Sequence, residues 1–106
     1  MKTVEILFFD ACPNLDEAVR RARAAIASTG VEAEVHLVPV EDDDQAVRRR
    51  FFGSPTVRVD GIDVEPGAAT RTDYALQCRM YPGEGRLVGA PPIEWIVNAL
   101  RGERAA

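Results

Sequence analysis

The stretch "FFDACPNLDEAV" (residues 8–19) leads from a predicted strand into a predicted helix through one cysteine and one proline. Residues 3–9, "TVEILFF", are rich in β-branched and aromatic side chains, which is typical of a buried strand. Apolar residues then recur at helical spacing over residues 14–28, and a glycine follows as a stop signal. The pattern therefore places Cys12 at the carboxyl end of a strand and close to the beginning of a helix.

Five further elements are predicted from periodicity and from turn residues. They are a strand at 31–37, a short helix within 41–53, a hairpin of two strands at 56–59 and 62–64 around an Asp-Gly turn, and a last helix at 91–100 that begins at two prolines. Asp-Gly between alternating runs is a strong hairpin signal. The residues between the hairpin and the last helix have no clear periodicity.

The predicted order is β-α-β-α-β-β-α, an α/β fold in which helices flank a mixed four-stranded sheet. The first two strands enclose a helix and should be parallel, whereas the last two form an antiparallel hairpin. Helices on both faces of the sheet would bury the apolar stripes. The length of the chain fits a single domain over residues 1–106, with an extra segment at about 66–90.

Composition narrows the classes of partner. A formal charge of -4 and an isoelectric point near 5.0 argue against nucleic acid or an anionic membrane as the main partner. No apolar run approaches the ~18 residues of a membrane span, and the N-terminus lacks the pattern of a signal peptide. We therefore expect a cytoplasmic protein, and the arginine-rich composition favours a bacterial source. The tail at 101–106 is expected to fray.

Cys12 has two interpretations. It can be a small buried apolar residue, as free cysteines often are. Alternatively, the unpaired N–H groups and the dipole of the following helix favour a thiolate at this position, which makes Cys12 a nucleophile. Pro13 suits the first helical turn because it has no N–H to leave unsatisfied.

Cys78, in "LQCRMY", also has two interpretations. It can be a buried cysteine in a short helix, or it can be the redox partner of Cys12. The second interpretation requires the 66–90 segment to fold back, because the two Cα atoms of a disulfide lie within ~7 Å. The neighbouring Arg79 is then a candidate for stabilising a Cys78 thiolate.

Other charged groups receive structural interpretations. "EDDD" and "RRR" lie at the ends of a predicted helix that favour their charges, so we assign them to helix termini. His36 is interpreted as a half-buried strand residue, because one histidine and two distant cysteines do not form a zinc pattern. No metal site and no bound cofactor is predicted.

The predicted order of elements, with a cysteine after the first strand and "GSPT" before the third, resembles the thioredoxin superfamily. The detailed pattern of "FFDACPN", "GSPTVRVDGIDVEP" and "RTDYALQCRMY" is also similar to a group of small bacterial thioredoxin-like proteins variously labelled as (seleno)proteins or alkylmercury lyases. The resemblance covers roughly residues 3–65 and 91–101. Leu15 stands where thioredoxin has its second cysteine.

The resemblance implies a cis-proline at Pro55, next to the catalytic cysteine. It also implies that the backbone of Ser54 is free to pair with an extended substrate, as in β-strand addition. Substrate binding is accordingly assigned to Pro13, Ser54, Pro55 and Thr56.

These observations lead to one main functional hypothesis and two alternatives. The main hypothesis is a thiol-disulfide oxidoreductase or peroxide-type reductase, with Cys12 as nucleophile, Cys78 as resolving thiol and an external dithiol as reductant. The first alternative is a protein that handles a thiophilic metal or organomercury through both thiols, with Asp10 as a proton donor. The second is a non-catalytic thioredoxin-like binding module.

Overall fold

β1 lies at the centre of a four-stranded mixed sheet of order β2-β1-β3-β4. The computed structural model describes residues 1–103, and the end of the predicted frayed tail, 104–106, lies outside the described residues. The strands of this sheet are β1 (Lys2–Phe8), β2 (Ala33–Pro39), β3 (Thr56–Val59) and β4 (Ile62–Asp63). The helices are α1 (Leu15–Thr29), α2 (Asp43–Arg48) and α3 (Ile93–Arg101).

The strand directions are those predicted from the order of elements. β1 runs parallel to β2, with Val4 opposite Val35, and antiparallel to β3, with Val4 opposite Val59. β3 and β4 form the antiparallel hairpin around Asp60 and Gly61. The α/β class with a mixed sheet is therefore confirmed.

The two faces of the sheet are covered by different helices. Val4 and Ile6 of β1 pack with α1 and α3 in the larger apolar cluster. Leu7 points to the other face, where it packs with Ala46 of α2 and with Phe51. This alternation follows from the period of two along a strand, and it leaves the carboxyl end of β1 between the two layers. Within residues 1–103, no helix is both long and apolar enough to cross a bilayer.

α2 ends in a Schellman motif that has arginine at the position usually taken by glycine. The N–H of Arg50 donates to Val47 O at 3.1 Å, and the N–H of Phe51 donates to Ala46 O at 2.8 Å. Arg50 has a φ of 54°, in the left-handed region. For a residue with a Cβ atom this conformation costs roughly 1–2 kcal/mol.

The 66–90 segment is mostly irregular. It contains a short 3₁₀ turn at Ala68–Thr70 and a small hairpin of β5 (Tyr81–Pro82) and β6 (Leu87–Val88). The interpretation of "DYALQCRMY" as a short helix is wrong, because residues 77–79 are extended and pair with another loop. Tyr81 anchors the segment, since its hydroxyl donates to Pro55 O at 2.5 Å.

Candidate active site

Cys12 lies in a tight loop between β1 and α1. Its N–H donates to Phe9 O at 3.3 Å, and its carbonyl accepts from Leu15 N at 3.4 Å. Ala11, just before it, has a left-handed φ of 62°. The Cys12 side chain is partly exposed and its thiol is free. The loop thus presents the cysteine at the beginning of α1, as the sequence predicts.

The loop before β3 contacts this cysteine loop through Ser54. The Ser54 hydroxyl accepts a hydrogen bond from Phe9 N at 3.3 Å. The Ser54–Pro55 bond is cis, as the resemblance implies. Ser54 therefore lies beside the turn that holds Cys12.

Cys78 lies directly opposite Ser54 in an isolated parallel β-bridge. Ser54 N donates to Gln77 O at 2.8 Å, and Arg79 N donates to Ser54 O at 3.0 Å. Neighbouring strands are about 4.8 Å apart in the hydrogen-bonding direction, so the backbones of Ser54 and Cys78 are in close contact. The extra segment thus folds back onto the cysteine end of the sheet.

The bridge also determines the direction of the Cys78 side chain. Residues paired across a bridge project to the same face, and the next residue projects to the opposite face. Cys78 is exposed and the next residue, Arg79, is buried, so the two side chains lie on opposite faces. Arg79 consequently points away from the Cys78 thiol.

The expectation of a free Ser54 backbone is wrong for this structure. Gln77 and Arg79 already occupy its N–H and its carbonyl. Ser54 is 1% exposed and Thr56 is completely buried, and the Pro55 side chain is buried with them. Of the four residues assigned to substrate binding, only Pro13 is exposed. The reason is that the 66–90 segment covers the edge that the resemblance leaves open.

Arg79 forms a buried ionic cluster behind the bridge. Its guanidinium donates to both carboxylate oxygens of Asp63, at 2.7 and 3.0 Å, and to Glu65 at 3.1 Å. It also donates to the Thr56 hydroxyl at 3.0 Å and lies 4.8 Å from the centroid of the Tyr81 ring. The cluster fastens the 66–90 segment to β3 and β4.

The charge of Arg79 is therefore directed at carboxylates and not at a thiol. Burial alone would lower the pKa of Arg79, but the hydrogen bonds and charges of Asp63 and Glu65 raise it overall. The Arg79 side chain projects away from Cys78. The structure therefore gives no support to the expectation that Arg79 stabilises a Cys78 thiolate. We assign Arg79 to holding the segment that carries Cys78.

A second loop closes on the first turn of α1. A Cβ atom at Gly89 would occupy the place of the Asn14 side-chain amide. Nearby, Arg21 Nη1 donates to the carbonyls of Ala90 and Pro91, at 3.2 and 3.0 Å. These contacts fix the residues that follow Cys12.

Sequence reasoning missed the partners of Arg79. Asp63 and Glu65 alternate in "IDVEP", which puts their side chains on one face of an extended strand. That spacing marks a pair of carboxylates, but nothing in the sequence shows that an arginine from the irregular segment lies between them.

Comparisons of the chain with protein-family models, with curated proteins and with solved structures each gave no match. The functional argument therefore depends on the geometry of this chain alone.

The close approach at Gly53 gives a test of how the Cys78 segment is held. A Cβ atom there would lie 2.9 Å from both Arg79 Cβ and Gln77 O, and Gly53 has a φ of 126°. We expect Gly53→Ala to loosen residues 77–79, to lower stability by about 2 kcal/mol and to speed alkylation of Cys78. Thermal unfolding and timed iodoacetamide labelling measure these effects.

The matched control is Gly61→Ala. Gly61 also has a positive φ, 82°, but a Cβ atom added to it would have no neighbour within 4 Å. This variant should lose stability without faster alkylation of Cys78. Equal labelling rates in the two variants would show that Gly53 does not hold the segment.

Proposed function

We propose that this chain is a thioredoxin-like thiol-disulfide oxidoreductase or peroxide-type reductase. Cys12 is the nucleophile and Cys78 is the resolving thiol. The observation that carries the proposal is the Ser54–Cys78 bridge, because it brings the second thiol to the end of the sheet where the Cys12 loop leads into α1. An isolated structural cysteine would not need to be exposed at this place.

The local geometry at Cys12 supports a nucleophilic role. The thiol is partly exposed and precedes the N-terminus of a 15-residue helix, where backbone N–H groups favour negative charge. The left-handed Ala11 next to it carries a conformational cost, and such costs concentrate at functional sites. The order of the sheet and the position of Cys12 after its central strand agree with the resemblance to thioredoxins.

With a peroxide as substrate, the Cys12 thiolate attacks one oxygen of the O–O bond. An S–O bond forms, the O–O bond breaks, and the leaving oxygen takes a proton from solvent to become an alcohol or water. Sulfur is oxidised by two electrons and the peroxide is reduced. The Cys78 thiolate then attacks the sulfur of the Cys12 sulfenic acid; the S–O bond breaks, the Cys12–Cys78 disulfide forms, and the expelled hydroxide takes a proton from solvent to become water.

With a disulfide as substrate, the Cys12 thiolate forms a mixed disulfide and expels one substrate thiolate. Cys78 attacks the Cys12 sulfur of that intermediate and expels the second thiolate. In both cases an external dithiol reduces the enzyme and is itself oxidised to a disulfide. A reducing compartment such as the cytoplasm would supply this dithiol.

The covered Ser54 edge favours small electrophiles. An extended polypeptide would need the N–H and the carbonyl of Ser54, and both are bonded within the chain. A hydroperoxide or a low-molecular-weight disulfide needs only access to the partly exposed Cys12 thiol. We therefore infer that protein disulfides are poor substrates.

The direct test is to map the cysteines after oxidation. We expect one equivalent of hydrogen peroxide to convert the reduced protein into a monomer with an intramolecular Cys12–Cys78 disulfide. Peptide mass spectrometry after alkylation under non-reducing conditions identifies the bond. After reduction, Cys12 should be the faster thiol to alkylate at about pH 7.

Two free, slowly reacting thiols after oxidation would overturn the proposal and favour the non-catalytic binding module. The metal-handling alternative makes a different prediction, because it requires tight uptake of one Hg(II) per reduced protein by both thiolates. A titration followed by sulfur-to-mercury charge-transfer absorbance measures this uptake.

A further inference from the structure

A cavity of about 480 Å³ opens beside the β3–β4 hairpin. Its walls come from the end of α2, from the hairpin, from residues 64–74 and from α3. These elements differ from the loops that carry Cys12 and Cys78. The cavity is thus a second candidate site, and its size suits a small molecule.

Aromatic side chains form one part of this cavity. Phe52 and Tyr74 stack with their ring centroids 5.4 Å apart, and Trp95 lines the same space from α3. Val64 adds an apolar side chain. These groups suit a planar, apolar ligand body.

Arginines form another part. Arg49, Arg50 and Arg58 line the cavity, and Arg58 Nη2 donates to the carbonyls of Arg49 and Arg50 at 2.6 and 2.9 Å. These contacts hold the Arg58 guanidinium at the end of α2. Burial lowers the pKa of Arg58, which indicates that its guanidinium has lost part of its hydration.

The carboxylates of the cavity wall are engaged by other arginines. Asp63 and Glu65 both bind Arg79, and Glu65 also binds Arg71 at 3.1 Å. Arg58 lies opposite Asp63 across the hairpin, so part of its charge is balanced. Glu5 also lies opposite Arg58 and Asp73 binds Arg71, so the positive charge that is left in the lining is mainly that of Arg49 and Arg50.

The backbone of Arg50 gives an independent indication. Its left-handed conformation is the one in which glycine ends a helix at lower cost. The Schellman hydrogen bonds do not require a side chain at this position. Arginine at position 50 therefore costs stability. Its side chain lines the cavity, where binding of a ligand would offset that cost.

We propose that this cavity binds a small molecule that has a planar apolar body and one anionic group. The body packs against Tyr74 and Trp95, and the carboxylate, sulfonate or phosphate group binds at Arg50 and Arg58. The proposal does not depend on the redox chemistry of Cys12 and Cys78. The three arginines of "RRR", assigned from the sequence to a helix terminus, would then also include a ligand-binding residue, Arg50.

Two probes that differ in one group test the charge requirement. Anilinonaphthalene sulfonate has the planar body and a sulfonate, and N-phenylnaphthylamine has the body without the charge. Trp95 is the only tryptophan and lines the cavity, so energy transfer from it reports binding, and the arginine variants below assign that binding to this cavity. We expect one site for the sulfonate and at least about tenfold weaker binding of the neutral probe.

Arg50→Gly is the decisive variant, because glycine favours the local backbone and the fold should become more heat-stable. We expect it to bind the sulfonate about tenfold more weakly and the neutral probe unchanged. Arg58→Gln should act in the same direction. The matched control, Arg86→Gln, replaces an exposed arginine outside the cavity and should leave both affinities unchanged.

Three results would overturn the proposal. They are equal affinity for the two probes, unchanged sulfonate affinity in Arg50→Gly, and binding of the sulfonate without energy transfer from Trp95. None of them bears on the disulfide between Cys12 and Cys78, so the two proposals are tested separately.

Discussion

Replacing Cys12 by serine should reduce the rate of peroxide or disulfide reduction by at least about a thousandfold, because a serine hydroxyl stays protonated at neutral pH and cannot replace a thiolate. The partly exposed position of Cys12 limits the effect on stability, which we expect to stay within about 0.5 kcal/mol. The measurement is single-turnover kinetics of the reduced protein with hydrogen peroxide or an aromatic disulfide, in the absence of external reductant.

Cys78→Ser is the matched variant, since it should stop the reaction after its first step. The variant keeps the Cys12 thiolate, so the protein accumulates with Cys12 as a sulfenic acid or as a mixed disulfide. Intact mass spectrometry detects these products as an added oxygen or an added substrate thiol. Wild-type protein should instead lose two hydrogens. Comparable first-step rates in Cys12→Ser and wild type, or a Cys78→Ser variant that traps nothing, would contradict the assigned roles.

The regular part of this fold could be predicted from the sequence because its signals are local. The strand at β1, the amphipathic α1 and the Asp-Gly hairpin each have a periodicity or a turn residue that fixes the element. Parallel β1 and β2 then follow from the helix between them. The same signals place Cys12 at the junction of β1 and α1, where the structure has it.

The position of Cys78 in the fold could not be predicted, because the apolar residues around it follow neither the helical period nor the strand period. Residues 77–79 are held by two backbone hydrogen bonds to Ser54 and by the buried Arg79 cluster. Both are long-range contacts that depend on no sequence pattern near Cys78. For this reason the sequence left the segment unassigned, and the alternative of a short helix around Cys78 is wrong.

The resemblance was informative about the backbone at Pro55 and misleading about its accessibility. It implied a free edge at Ser54, whereas this chain fills that edge with its own residues 77–79. An added segment that brings a thiol therefore also removes a surface for polypeptide binding. Leu15 stands where thioredoxin has its second cysteine, and the segment that supplies Cys78 in its place also covers Ser54. The same segment is therefore the reason why we infer small substrates.

Replacing Arg79 by methionine should destabilise the fold by about 3–5 kcal/mol, because it leaves buried carboxylates without their cation. The Asp63 side chain is only 8% exposed and the Glu65 side chain 21% exposed, so water cannot replace the guanidinium fully. Urea unfolding at neutral pH measures this loss.

Arg71→Met is the control for a more exposed ion pair. Arg71 binds Glu65 and the exposed Asp73, and its side chain is 29% exposed, so its removal should cost no more than about 1 kcal/mol. The double variant Asp63→Asn with Arg79→Met should recover part of the stability lost in Arg79→Met, because it removes one unpaired charge. Equal losses at Arg71 and Arg79 would mean that the cluster does not hold the Cys78 segment. A selective loss at Arg79, with faster alkylation of Cys78, would show that this buried cation positions Cys78, the proposed resolving thiol, without touching its side chain.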